Sequence, residues 1–199
     1  MSKNYIFSLS LSIISFIVSV LFFIRNKHYD RIYASFILCY SLISYNDYLI
    51  HKSIITNNTE LNNKATRNIY YLLWSQVLFL GIGIYLTTKD YSVLVFGVWI
   101  LYFGHTNARK MWLKSDITIS SDNNIVYGFD DKNIILVLYI LLFLLYKYTD
   151  FKKSFLLIVL LYLTFYKNII HNESTISSWL YIPSMISIPM YIISDYFYI

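Results

Sequence analysis

Asp47 is the residue of this chain whose type and position most directly suggest chemistry. It lies in an apolar run, 32–50, and an ionisable side chain inside a membrane helix marks a functional site by default. Counting along the predicted helices at 1.5 Å per residue puts Asp47 in the outer third of a hydrocarbon core about 30 Å thick. The alternative is a helix that ends sooner and leaves the Asp47 carboxylate exposed at the membrane surface. The residues predicted to share its polar pocket, at similar depths, are Gln76, His105, Arg109 and Lys167.

Histidines near the same side of the membrane raise a second chemistry, metal binding. Asp47 and His51 are four residues apart and share a helical face, while His105 and His171 come from two other predicted helices. Such ligands could hold zinc with an open position for water. The sequence contains no His-Glu-x-x-His motif, and its last apolar run has no histidine. The prediction is therefore no metal site and no cofactor.

Composition indicates the elements that must position these residues. Hydrophobic residues make up 57% of the 199 residues and charged residues 14%, against about 45–50% and about 25% in soluble domains. The long uncharged runs argue against a soluble enzyme and a secreted disulfide module. Basic residues are scattered through the loops, which argues against a nucleic-acid partner despite the net charge of +5. Cys39 is the single cysteine, so no intramolecular disulfide can form.

The apolar runs predict an all-α, polytopic transmembrane bundle that forms one domain over residues 1–199. Seven spans are expected, and six are the rival count if one weak span is re-entrant. A run of about 20 apolar residues crosses a bilayer, and the two shortest runs cross only if flanking lysines reach the head groups. The predicted spans are 5–24, 32–50, 68–88, 91–112, 132–148, 153–170 and 176–195.

Between the fourth and fifth spans, residues 117–129 alternate in the manner of strands around a turn-forming Ser-Asp-Asn-Asn segment. A small β-hairpin and a loop without regular structure are both compatible with this pattern. The positive residues that follow the first run favour an N-terminus outside. The sequons at Asn57 and Asn172 both fall on that outer side, although about two are expected by chance in this composition.

Motifs of familiar seven-helix proteins are missing from the sequence. The last run has no lysine for a retinal Schiff base, so retinal is not expected. Receptor motifs and a Pro-Gln pair are also absent. Gly97 and Gly104 are seven residues apart and could form one face for close helix packing.

A resemblance rests on three short segments, Arg25–Tyr33, Tyr45–Tyr48 and Leu73–Gln76. They resemble uncharacterised multi-pass membrane proteins of giant DNA viruses, in which a charged loop follows the first helix, an acid stands late in the second and a Trp-x-Gln opens the third. Asp47, Trp74 and Gln76 occupy the matching positions, and the resemblance covers about residues 1–110. It implies a location and an architecture and no activity.

The function predicted from these observations is a multi-pass membrane protein without catalytic activity, a structural or interaction component of a viral or host membrane. Its partners would be the lipid bilayer and other membrane proteins. One alternative is a small-solute or ion transporter that uses the pocket around Asp47, although the halves of the chain show no internal repeat of the kind common in transporters. The other alternative is a membrane-embedded metal-dependent hydrolase.

Overall fold

The structure is a computed structural model that describes the backbone of residues 2–111, 119–121, 124–126, 134–149 and 187–192, with side chains for 6–107, 136–149 and 187–192. These residues form an all-α protein with one small pair of strands. The helices are α1 (Ser2–Arg25), α2 (Asp30–Ile55), α3 (Thr59–Thr88), α4 (Tyr91–Met111) and α5 (Ile134–Tyr148), and residues 187–192 add a short helical segment.

Short turns join the first four helices, so each packs antiparallel against the next. Ser8 and Ser19 of α1 bond to Asp47 and Ala34 of α2, so residue numbers rise on one helix as they fall on the other. In the same way Asn46 bonds to Asn68, whereas Arg31 reaches the carbonyl of Leu86 on α3. The hydrophobic core lies mainly between α2 and α3 and extends to α5.

The turn between α2 and α3 is shorter than the polar composition of 51–67 suggests. Helix α2 continues to Ile55, and α3 already begins at Thr59. The Asn58 side chain accepts the backbone N–H of Leu61, which is the contact of a helix N-cap. Both helices therefore extend beyond the apolar runs that predicted them, because polar residues at the ends of a helix continue it at little cost when the end is capped.

Helix α1 buries four serines beside Leu11, Val18 and Phe22, and it exposes most of its other large apolar residues. Ser8, Ser12, Ser15 and Ser19 are all buried, and their spacing of four, three and four places them along one face. Two of them donate hydrogen bonds to backbone carbonyls of α2, Ser12 to Ser41 and Ser19 to Ala34. The outward residues are Ile13, Phe16, Ile17, Val20, Leu21 and Ile24. The exposed face of α1 is therefore far more apolar than the exposed face of a helix on the surface of a water-soluble protein.

Helix α4 approaches α3 closely at two glycines. A Cβ at Gly97 would lie 2.8 Å from the Cα of Leu78, and one at Gly104 would lie 2.2 Å from the Cγ of Trp74. Both positions face α3, so the prediction that these glycines form one packing face is confirmed.

Arg25 holds the turn between α1 and α2 and the helical segment at 187–192 together. Its guanidinium donates to both carboxylate oxygens of Asp30 at 2.8 and 2.7 Å, and to the carbonyl of Tyr191 at 3.0 Å. The rings of Phe22 and Tyr191 lie 4.9 and 4.4 Å from the guanidinium carbon. Asp30 is fully buried and also accepts the backbone N–H of Lys27. The charged pair is thus shielded from solvent on several sides.

The turn between α3 and α4 is fixed to the end of α5. Asp90 accepts hydrogen bonds from the N–H and hydroxyl of Ser92 and from the hydroxyl of Tyr148 at 2.7 Å. These donors stabilise the carboxylate, so they lower the pKa of Asp90, led by the Ser92 hydroxyl, below its ordinary 3.8.

By length and composition, two helices of the described residues could cross a membrane, Ile6–Arg25 and Thr59–Thr88. The buried core helix of a soluble protein meets the same condition. The other helices carry more polar residues or are shorter. The predicted spans 153–170 and most of 176–195 lie outside the described residues. The strands are Ile119–Ser121 and Asn124–Val126, paired antiparallel with Ile119 opposite Val126, within the segment for which the sequence left a hairpin and a loop open.

Candidate functional site

Asp47 lies inside the bundle at the α1–α2 interface. Its side chain has no exposed surface, because α2 continues for eight residues beyond it, to Ile55. The prediction that this carboxylate faces the interior is therefore confirmed, and the alternative of an exposed carboxylate is wrong. The hydroxyl of Ser8 donates to Asp47 Oδ2 at 2.6 Å, which is a typical length for a hydroxyl bonded to a carboxylate.

His51 is the second partner of this carboxylate. Its Nε2 lies 3.6 Å from Asp47 Oδ2, one helical turn along α2, and its side chain is 13% exposed. That distance is too long for a hydrogen bond but close enough for a charge interaction when the imidazole is protonated. Ser8 donates to the carboxylate, and His51 Nε2 has no hydrogen-bond partner among the described residues. The arrangement therefore differs from a Ser-His-Asp triad, in which histidine takes the serine proton.

The two described partners of Asp47, Ser8 and His51, are not among the groups predicted for it. Gln76 is fully buried, but neither its Oε1 nor its Nε2 has a hydrogen-bond partner in the part of the chain that the structure describes. The contact of Asn46 with Asn68 sets the register of the two helices, and Gln76 is eight residues beyond Asn68, about 12 Å along the axis. The estimate of depth from run ends was wrong here, because α3 begins nine residues earlier than the predicted span.

Asn46, also named as a partner for Asp47, faces a different side of α2. Its Nδ2 donates to the carbonyl of Leu42 at 2.9 Å, and its Oδ1 accepts from Asn68 Nδ2 at 3.0 Å. Neighbouring residues on a helix point about 100° apart, so Asn46 and Asp47 serve different surroundings. Asn46 is buried against α3, near the outer surface of the α2–α3 pair, whereas Asp47 faces α1.

A groove on that outer surface contains the remaining described candidate, His105. It has a volume of about 690 Å³, which lies within the range of small-molecule sites. The His105 ring is exposed and stacks on Tyr71 with centroids 5.8 Å apart. We call this feature the outer groove, and it is lined by Leu42, Asn46, Asn68, Tyr71, Leu72, Ser75, Val98, Leu101, Tyr102 and His105.

Three of the five residues of the predicted pocket have described side chains, and the structure does not bring these three together. Asp47 contacts Ser8 and His51, Gln76 is buried elsewhere, and His105 lines the outer groove. The Arg109 side chain and Lys167 lie outside the described residues, so their place in the pocket stays a prediction.

The candidate metal ligands predicted from the sequence are also not all brought together. Among residues for which side chains are described, no three His, Cys, Asp or Glu groups come together in a way that could hold a metal ion. His105 is therefore separate from the pair Asp47 and His51. His171, the fourth candidate, lies outside the described residues.

Sequence reasoning missed Ser8, the hydrogen-bond donor to Asp47. Its signal was present in the spacing of Ser8, Ser12, Ser15 and Ser19, which marks one face of α1. Small polar residues on one face of an apolar helix indicate a close helix partner in a membrane. That pattern would have predicted a serine facing the second helix.

Comparison of the chain with protein-family models, with curated proteins and with solved structures gave no match.

Proposed function

We propose that the chain is a multi-pass integral membrane protein that acts as a structural or interaction component of its membrane. The observation that carries this proposal is the polarity of α1, which buries four serines and exposes most of its isoleucines and phenylalanines. In water, that surface would expose a contiguous apolar patch of the kind that soluble monomers avoid. In a bilayer, the apolar face contacts lipid tails and the serines supply helix–helix hydrogen bonds.

Helices α4 and α5 repeat the pattern on their outer faces. Val95 and Trp99 of α4 are 69% and 59% exposed, and Phe143 of α5 is 62% exposed. Meanwhile Asp47 and Gln76 are fully buried. Apolar side chains outside and polar side chains inside suit a hydrocarbon solvent. The seven-span count, an N-terminus outside and a viral or host membrane remain part of this proposal, the last through the resemblance of residues 1–110.

Cysteine accessibility tests the proposal. In a Cys39→Ala background, Val95→Cys places a thiol on the outer face of α4, and Asn57→Cys and His28→Cys place thiols in the two exposed turns on either side of α2. In sealed membranes, a membrane-impermeant maleimide should label Asn57→Cys from outside and leave Val95→Cys unlabelled until detergent denatures the protein. His28→Cys should be labelled only after the membrane is opened.

Rapid labelling of Val95→Cys in intact membranes would contradict a lipid-facing α4. Labelling of Asn57→Cys and His28→Cys from the same side would contradict a spanning α2. Release of the protein by alkaline carbonate would contradict membrane integration altogether.

Transport of a small solute or ion is the second candidate function, favoured by the burial of Asp47 against Ser8 and His51. A buried carboxylate beside an imidazole can exchange protons, which is a common part of proton-coupled transport. Proteoliposomes containing a pH-sensitive dye would show a proton flux under a potassium gradient, and Asp47→Asn should abolish it. Asp90→Asn, on the exposed turn, is the matched control. Equal fluxes for both variants, or no flux above empty liposomes, would remove this candidate.

A further inference from the structure

We infer that the outer groove is a binding site for a single-chain amphiphile with a carboxylate head group, such as a long-chain fatty acid. The inference goes beyond the proposed function, since it assigns a ligand to a surface that neither the membrane role nor the Asp47 site uses. It depends on the arrangement of polar and apolar residues along the groove.

The groove carries its asparagines and histidine toward one end, and the rest of its lining is mainly apolar or aromatic, with Ser75 as the exception. Asn46, Asn68 and His105 come from three helices and line the groove toward the end of the bundle where α3 begins and α4 ends. Val98 precedes His105 by seven residues, about 10 Å along α4 at the usual rise. The apolar part is formed by Leu42, Leu72, Val98 and Leu101. A head group at one end and an acyl chain along the rest would match this division.

The polar end offers mainly hydrogen-bond donors. Asn68 and Asn46 each use one N–H of the side-chain amide in the bonds to Asn46 Oδ1 and Leu42 O, and an amide nitrogen has two. The second N–H of each amide and a ring N–H of His105 are therefore available to an acceptor. The described residues that line the groove include no Asp or Glu. Donors without a carboxylate favour an anionic acceptor over a cation.

Basic residues near the polar end of the groove also favour an anionic ligand. Arg109 follows His105 by four residues and is placed on the same face of α4, one turn further along. On α3, Lys64 and Arg67 precede Asn68 and are exposed. The positive charges of these basic residues would attract a carboxylate from the membrane surface toward the groove.

Photo-crosslinking with a diazirine analogue of palmitate tests the assignment, with the full chain in nanodiscs of neutral phospholipid. Crosslinked peptides should map to α3 and α4 near Tyr71 and His105. Val98→Trp fills the groove from an exposed position and should lower crosslinking about tenfold. Val95→Trp adds the same ring on the same helix outside the groove and is the matched control.

The head group is tested with the alcohol and amine of the same chain. The acid should crosslink more than either, and His105→Ala should lower crosslinking of the acid while leaving the alcohol unchanged. Equal effects of Val98→Trp and Val95→Trp, or equal labelling by acid, alcohol and amine, would show non-specific boundary lipid and overturn the inference. Crosslinks between two copies of the chain would show a dimer contact instead and also overturn it. Failure here leaves the cysteine accessibility result unaffected, so the two proposals fail separately.

Discussion

Substitution of Asp30 by asparagine should destabilise the protein by about 3–5 kcal/mol, the usual cost of removing one partner of a buried ion pair. This ion pair is almost completely buried, since the side chains of Arg25 and Asp30 are 10% and 0% exposed. Asparagine keeps the shape and can still accept the Lys27 N–H, but it leaves the guanidinium charge buried without its anion. Solvent screening is too weak at these exposures to reduce the cost substantially.

The loss can be measured by SDS titration in mixed micelles, followed by tryptophan fluorescence, because Trp74 is fully buried in the folded bundle. Glu60→Gln is the matched control, an acid-to-amide change at an exposed site in the first turn of α3, and it should cost no more than about 1 kcal/mol. If the two variants unfold at the same SDS fraction, the reasoning that Arg25 and Asp30 form a desolvated pair is refuted.

A double variant separates charge burial from packing. Arg25→Met with Asp30→Leu removes both charges, and apolar replacement of a buried pair is often neutral or stabilising. The double variant should therefore be more stable than Asp30→Asn, although it loses the bonds to Lys27 and Tyr191. Proteolysis near 187–192 should increase in the double variant, because it removes the Arg25 donor to the Tyr191 carbonyl.

Three further predictions concern the other contacts. Gly97→Ala should cost about 1–3 kcal/mol, since its new methyl group would meet the backbone of Leu78, whereas Val98→Ala, at a 56% exposed neighbour, should cost much less in the same SDS titration. Ser15→Ala should be neutral or slightly stabilising, because the buried Ser15 hydroxyl has no partner among the described residues, whereas Ser15→Leu should separate α1 from α2 and cost about 1–3 kcal/mol; equal stability of both variants would contradict the serine face. Because the pKa of Asp90 is lowered in the folded protein, the contribution of Asp90 to folding stability is complete above the ordinary pKa of 3.8 and is lost as pH falls through the lower folded value. Tyr148→Phe should reduce this loss of stability at acid pH. An unchanged pH profile of unfolding would show that the Tyr148 bond does not stabilise the carboxylate.

The sequence predicted the helical architecture well where apolar runs were long. The all-α class, the extent of α4 and the packing role of Gly97 and Gly104 follow from hydropathy and small-residue spacing. The ends of α2 and α3 did not follow, since the polar residues near Asn58 continue both helices once that side chain caps the second.

The candidate site was harder to predict because depth alone does not give the direction of a side chain. Asp47 and Gln76 were expected together from similar counts of residues, yet the contact of Asn46 with Asn68 places Gln76 about 12 Å further along the helix axis. The burial of Asp47 followed from the cost of an unpaired charge in a membrane. Its partner Ser8 required the relative rotation of α1 and α2, which only the serine spacing encodes.

The serine face of α1 also bears on how the bundle assembles during synthesis. By length and composition, α1 could cross a bilayer. In the proposed membrane role, its serine hydroxyls would bond only to carbonyls of their own helix until α2 arrives. When α2 emerges, Ser12 and Ser19 exchange those bonds for the carbonyls of Ser41 and Ala34, and Ser8 meets Asp47. In the proposed membrane role, the first helix would act as an insertion template for the second, which brings a carboxylate that would be costly to insert by itself. A chain that lacks α1 should leave α2 outside the bilayer or direct it to degradation.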